Sequence, residues 1–216
     1  MNFESARAQM LGQQLRAWDV LDDRVLQALR ATPRELFVPA EYRELAFADT
    51  EIPLGHGQHM LAPKIEGRLL QALQIAAIDD VLQVGTGSGY SSACLSRLAQ
   101  RVMSVDVIAQ FTARAKDKLA EAGITNVEVD TADGLSLDAP GRYDVIAVTG
   151  SIPELDDRFI RMLRPRGRLF VVVGRAPVME ARLITKHPSG EWTQESLFET
   201  MLTPLSNPGQ TEPFVL

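Results

Sequence analysis

The residues whose types and spacing best suit chemistry lie at Asp80 to Tyr90, "DVLQVGTGSGY", where an apolar run passes into Gly85, Gly87 and Gly89, with Thr86 and Ser88 between them. Glycine lets the backbone approach a ligand closely, and a helix that starts after such a turn presents the positive end of its dipole there. Asp106 stands 21 residues beyond Gly85, close to the roughly 20-residue offset of an acid that binds ribose hydroxyls. An ionised acceptor on a hydroxyl donor contributes about 1.5–3 kcal/mol. Asp133 and Gly134 follow a third strand-like run, where the carboxyl ends of an open α/β sheet converge on their ligand. The pattern predicts binding of a nucleoside-like group. It suits a nicotinamide dinucleotide less well, because Tyr90 occupies the sixth position of the fingerprint, which requires glycine for close helix packing.

These residues must be held by strands and helices in alternation. Strand-like runs are Val81–Val84, Val102–Asp106, Val127–Asp130, Tyr143–Val148 and Leu169–Val173, separated by helical stretches at Tyr90–Ala99, Ile108–Ala122 and Leu155–Leu163. Near-continuous apolar strands between helices imply a mostly parallel, doubly wound sheet covered on both faces, hence an α/β fold. "VMEARLITKH" and "EWTQESLFET", split by "PSG", predict a C-terminal antiparallel hairpin at one edge. Residues 1–50 read as a helical N-terminal segment, with Leu11, Leu15 and Trp18 at helical spacing and Asp22 or Asp23 as a cap. Prolines, glycines and two histidines break every periodicity in "ADTEIPLGHGQHMLAP", 48–63, which predicts an ordered loop, and Pro63 suits the first turn of a helix. One domain over 1–216 is expected.

Composition excludes several classes. Across 216 residues the net charge is −6, opposite to the clustered Lys and Arg that a nucleic-acid partner requires. A single cysteine, Cys94, rules out an internal disulfide framework, and the longest wholly apolar run, "LFVVV" at 169–173, is far short of the roughly 20 residues that span a bilayer. A cytoplasmic protein without membrane or nucleic-acid partners is expected. Cys94 falls on the apolar side of its helix, as a core residue would. His56 and His59 have no nearby cysteine and no helix to align them, so no metal site is predicted.

The order Gly85, Gly87, Gly89 resembles the first motif of S-adenosylmethionine-dependent methyltransferases. With "PRELFVP" (33–39), "IPLGHGQ" (52–58), "VLQVGTGSGY" (81–90), "ADG" (132–134), "YDVIAVTG" (143–150), "RPRGRLFVVVG" (164–174) and "LTPL" (202–205), the whole chain resembles the protein-L-isoaspartate (D-aspartate) O-methyltransferases. That resemblance implies a Rossmann-like methyltransferase fold with S-adenosylmethionine as cofactor, held by Gly85, Thr86, Gly87, Ser88, Gly89, Asp106, Asp133 and Gly134. It implies a substrate loop at 51–63 ahead of a cofactor-binding sheet and hairpin at 64–216, with Gln58, His59, Leu61 and Thr149 at the acceptor. The partner it implies is a protein or peptide carrying isoaspartyl residues.

Three positions depart from the family pattern. Where the family's substrate loop reads Gly-Gln-Thr-Ile-Ser-x-Pro, this chain has "GQHMLAP", so His59 replaces the threonine and Leu61 the serine. The serine hydroxyl is the family's best-supported catalytic position; leucine cannot orient a carboxylate oxygen, and its bulk would fill that space. Gln83 replaces an acid and removes a negative charge expected near a cationic cofactor. "TGS" at 149–151 replaces Thr-Ala-Ala. Three readings follow: isoaspartyl methylation, methyl transfer to a different acceptor such as a small molecule, or a catalytically silent cofactor-binding or regulatory homologue.

Overall fold

The computed structural model describes residues 2–206; the last part of the expected 64–216 segment therefore lies outside the described residues. The N-terminal segment is helical, as its periodicity predicts. Helix α1 (Phe3–Gln9) runs into a π-helical stretch over Met10–Leu15, followed by α2 (Asp23–Ala31). The Asp22 carboxylate accepts the Arg24 N–H at 2.8 Å, capping α2. A four-residue helix, α3 (Arg34–Phe37), and a 3-10 turn at Ala40–Leu45 complete the segment.

The expected ordered loop at 48–63 contains a hairpin of β1 (Ile52–Gly55) and β2 (Gln58–Met60). The physical reason is local. His56 and Gly57 both have positive φ, 54° and 67°, the geometry of a two-residue turn whose twist matches paired strands. That turn pairs Ile52 with Met60 and buries both side chains. Pro63 opens α4 (Pro63–Leu73), as predicted.

Beyond α4 the alternation is regular: β3 (Asp80–Val84), α5 (Tyr90–Ser96), β4 (Arg101–Asp106), α6 (Ala109–Glu121), β5 (Val127–Thr131), β6 (Tyr143–Ile152), α7 (Asp157–Met162) and β7 (Leu163–Arg175). Strands β8 (Val178–Lys186) and β9 (Trp192–Glu199) form the antiparallel edge. The seven strands lie in the order β5-β4-β3-β6-β7-β8-β9, parallel from β5 to β7. Strand order reverses beside β3, whose neighbours β4 and β6 carry the chain to opposite sides, and ligands of open sheets bind at such a reversal.

Alternation along β3 separates the two faces. Val81 joins the cluster built on α4, α5 and the N-terminal helices, whereas Leu82 and Val84 join the cluster under α7. No helix among the described residues is long and apolar enough to cross a membrane.

Cys94 is fully buried in the first cluster. Burial, reinforced by the nearby Glu66 charge, pushes its thiol from an ordinary 9.0 up to about 12. The unfolded chain therefore releases this proton first, and stability is expected to fall as pH rises from 9.0 towards 12. An aromatic disulfide reagent should leave Cys94 unmodified in the native protein at about pH 8 and modify it once urea unfolds the chain.

Candidate functional site

The glycine turn is fixed from below and from both sides. At the end of β3, the Gly85 and Thr86 N–H groups donate to the Val105 carbonyl at 2.9 and 3.2 Å, and Gly89 N–H donates to the Thr86 carbonyl at 2.9 Å. Gly85, Gly87 and Gly89 all have positive φ, 96°, 52° and 85°, which explains why glycine alternates here. A Cβ on Gly85 would lie 2.5 Å from Thr149 Oγ1. That hydroxyl donates to the Gly85 and Val84 carbonyls at 2.5 and 3.1 Å, so Thr149 braces the turn.

Asp106 closes β4 with both carboxylate oxygens engaged. Oδ2 accepts the Gly87 N–H and Oδ1 the Ile108 N–H, each at 2.9 Å. One carboxylate thereby ties the glycine turn to the start of α6, while its remaining lone pairs face a cleft. Burial raises the pKa of this carboxyl, opposed by the backbone N–H groups of Gly87 and Ile108. Asp133 is held by its own turn, accepting from Leu135 N–H at 2.9 Å and Ser136 Oγ at 2.6 Å. Beside it Gly134 packs so tightly on Val84 that a Cβ would collide with the valine methyls.

The cleft lies over the carboxyl ends of β3, β4, β5 and β6. Gly85, Gly87, Asp106, Asp133, Gly134 and Thr149 line it from the sheet side, and Gln58 and His59 from the hairpin. Val84, Val105, Ile108, Phe111 and Leu135 add apolar surface between the two carboxylates. Apolar walls that can sandwich a flat ring, flanked by acids that accept hydroxyl hydrogens, form a suitable receptor for a nucleoside.

A segment near the end of the described chain closes one side. Ser151 N–H donates to the Thr203 carbonyl and Leu205 N–H to the Ser151 carbonyl, each at 3.0 Å. Leu205 then packs on Gly150, where a Cβ would lie 2.8 Å from its Cδ2. Gln58 Nε2 donates to Ser206 Oγ at 3.0 Å and the Pro204 carbonyl at 3.2 Å, and His59 Nδ1 lies 3.1 Å from Thr203 Oγ1. At its other end the hairpin crosses to α6, with His56 Nε2 at 2.8 Å from Gln110 Oε1. Leu54, Phe111 and Leu205 were not legible as site residues, since an apolar residue at regular spacing reads as core. The motifs "IPLGHGQ" and "LTPL" contain Leu54 and Leu205, but nothing marked Phe111.

Four expected site residues do not line this cleft. Thr86 is buried, its hydroxyl 2.7 Å from Ser104 Oγ. Ser88 Oγ instead accepts the Tyr90 N–H at 3.2 Å. Gly89 packs against Ala115 of α6. Leu61 is buried in the first core cluster, so its bulk does not fill the cleft as expected.

Gln83 departs from expectation as well. It is fully buried behind the turn and does not face the cleft, its register partner on β4 being Ser104. Its Oε1 accepts from Ser92 Oγ at 2.5 Å and Ser104 Oγ at 3.2 Å, and its Nε2 donates to the Gly85 carbonyl at 3.0 Å. A neutral amide satisfies this pocket without burying a charge. Because Leu61 is core, Leu61→Ser is expected to cost about 2–4 kcal/mol in urea unfolding, from lost burial and a hydroxyl without a designed partner.

Similarity to known proteins extends over most of the chain. A family profile described as Protein-L-isoaspartate(D-aspartate) O-methyltransferase (PCMT) matches residues 6–210. The chain is 37% identical to the protein-L-isoaspartate O-methyltransferase of Koribacter versatilis over 206 residues, covering 94% of this chain and 91% of that one. It is 41% identical over 169 residues to the enzyme of the same name from Methanoculleus marisnigri, covering 78% and 77%. A Plasmodium falciparum beta-aspartate methyltransferase (PCMT) structure, in complex with S-adenosyl-L-homocysteine, superposes with a TM-score of 0.79. It does so at 18% identity, over 95% of this chain and 99% of that one, and so speaks to the fold.

Proposed function

The chain belongs to the protein-L-isoaspartate (D-aspartate) O-methyltransferase family, and from that premise we propose that it methylates the free carboxylate of isoaspartyl residues in damaged proteins, with S-adenosylmethionine as donor. The observation that carries this reading is the family match across residues 6–210; the cleft supports it. Residues 1–216 act as one methyltransferase domain in this reading, since the N-terminal helices share a core with α4 and α5.

S-adenosylmethionine supplies, when bound, a methyl carbon activated by a sulfonium. The residues present fit it: Asp106 offers acceptors for ribose hydroxyls, Asp133 and Gly134 border the adenine side, and Gly85 and Gly87 line the cleft without side chains. A carboxylate acceptor is already ionised near neutral pH, so no general base is needed and no proton must move. What the chain must do is align the acceptor, which is worth roughly 7–11 kcal/mol when the reacting atoms are held in line. Gln58 and His59 stand on the hairpin side of the cleft, where they can hold an acceptor oxygen. Thr149 shapes that end through the turn.

A second reading, methyl transfer to a different acceptor, is favoured by His59, which lines the cleft where the family loop has a threonine. One pair of measurements separates the readings. Calorimetric titration with S-adenosylhomocysteine should saturate; absence of binding removes any methyltransferase reading. Methyl transfer from labelled S-adenosylmethionine should appear with an isoaspartyl peptide and be absent with its normal aspartyl twin. Background signal on both, in a protein that binds the cofactor product, removes isoaspartyl methylation and leaves a different acceptor or a catalytically silent cofactor binder.

A further inference from the structure

Arg34 is the largest of the fully buried side chains, 1% exposed, and takes no part in the cleft. Its guanidinium joins three segments distant in sequence. Nε donates to the Ala46 carbonyl at 2.7 Å, and Nη2 donates to the Leu61 carbonyl at 2.6 Å, just past β2 of the hairpin. Its face lies on Tyr90, with Cζ 4.7 Å from the ring centroid. Tyr90 is the first residue of α5, directly after the glycine turn. Nη1 has no hydrogen-bond partner among the described residues.

The balancing charge is also buried. Glu66 of α4 is fully enclosed, with Oε2 accepting from Ser91 Oγ at 2.9 Å and Oε1 unpartnered among the described residues. No direct ion pair joins Glu66 to Arg34 among the described residues. Burying a cation without a contacting carboxylate is costly, and apolar packing of equal volume would serve stability at least as well. A planar fork that grips two carbonyls and stacks on an aromatic ring supplies geometry that a hydrophobic residue cannot.

We propose that Arg34 is a positioning residue that couples the glycine turn to the acceptor-side hairpin, holding the Leu61 carbonyl through one arm of its fork while resting on Tyr90. The inference rests on the reading that the hairpin borders the acceptor. It adds that order in the hairpin depends on contact with the cofactor-side turn. Leu61 and Ala62 do not line the cleft, so any effect of ligand on them must travel through the protein.

The test is Arg34→Lys, which keeps the charge and loses the fork, read by amide hydrogen exchange and by calorimetry with S-adenosylhomocysteine. The variant should bind S-adenosylhomocysteine within about threefold of wild type, while exchange across 58–62 accelerates roughly 10- to 100-fold and other segments keep their protection. Methyl transfer to the acceptor should fall by a similar factor through kcat rather than cofactor affinity. Unchanged exchange at 58–62, or acceleration spread evenly over the chain, overturns the proposal. If the variant does not fold, the wild type decides: S-adenosylhomocysteine must slow exchange at Leu61 and Ala62, and no slowing there overturns it. Exchange needs no acceptor, so a wild type inactive on isoaspartyl peptide would refute the functional reading and leave this one measurable.

Discussion

Asp106→Ala is expected to weaken S-adenosylhomocysteine binding by roughly 10- to 150-fold or more, the loss that follows from removing one or more hydrogen bonds to a charged acceptor. Two effects combine in this change. The side chain is the acceptor proposed for the ribose hydroxyls, and its two oxygens also hold the Gly87 and Ile108 N–H groups. Removing it frees the turn and the start of α6 together. Asp106→Asn should fall short of full rescue, because an amide has one acceptor oxygen and would present its NH2 group to one of two backbone donors. Calorimetric titration measures both variants. A dissociation constant within threefold of wild type for Asp106→Ala would refute the assignment.

Gly89→Ala should destabilise the fold strongly. At φ 85° an alanine is strained, and its Cβ would lie 2.9 Å from the Ala115 Cβ and 3.2 Å from the Ala115 Cα on α6. An alanine Cβ is fixed to its backbone and cannot swing aside. Left-handed strain of about 1–2 kcal/mol and overpacking of about 1–3 kcal/mol sum to roughly 2–5 kcal/mol. For a chain of this size that lowers Tm by roughly 5–15 °C. Differential scanning calorimetry provides the check, and a drop below about 3 °C would show that α6 yields more easily than its packing indicates.

Legibility in the sequence followed the range of the interaction. The strands that carry the sheet, the Asp22 cap and Pro63 at a helix start were readable because each depends on neighbours in the chain. The same holds for Gly85, Gly87, Asp106, Asp133 and Gly134, whose spacing is tied to strand ends. The hairpin at 52–60 was hidden because its strands are short and its turn, His56-Gly57, is an uncommon version of the Asn-Gly signal.

Gln83 and Leu61 misled for a different reason. Their surroundings are set by partners brought in from elsewhere, Ser104 across the sheet and the N-terminal helices beneath the hairpin. Which face a residue presents follows from strand alternation; what it meets there does not. Arg34 was invisible as anything but part of a motif, since its partners lie 12 and 27 positions away.

The bond between Gln58 and Ser206, which spans 148 positions, has a consequence for biosynthesis. Ribosomes deliver the amino end first, at about 5–20 residues per second, so the hairpin, the glycine turn and both acids are available long before residues 202–206 emerge. A nascent chain paused ahead of that point lacks one wall of its receptor. Ligand capture in the complete receptor therefore waits until residues 202–206 have been delivered and the strap reaches Ser151.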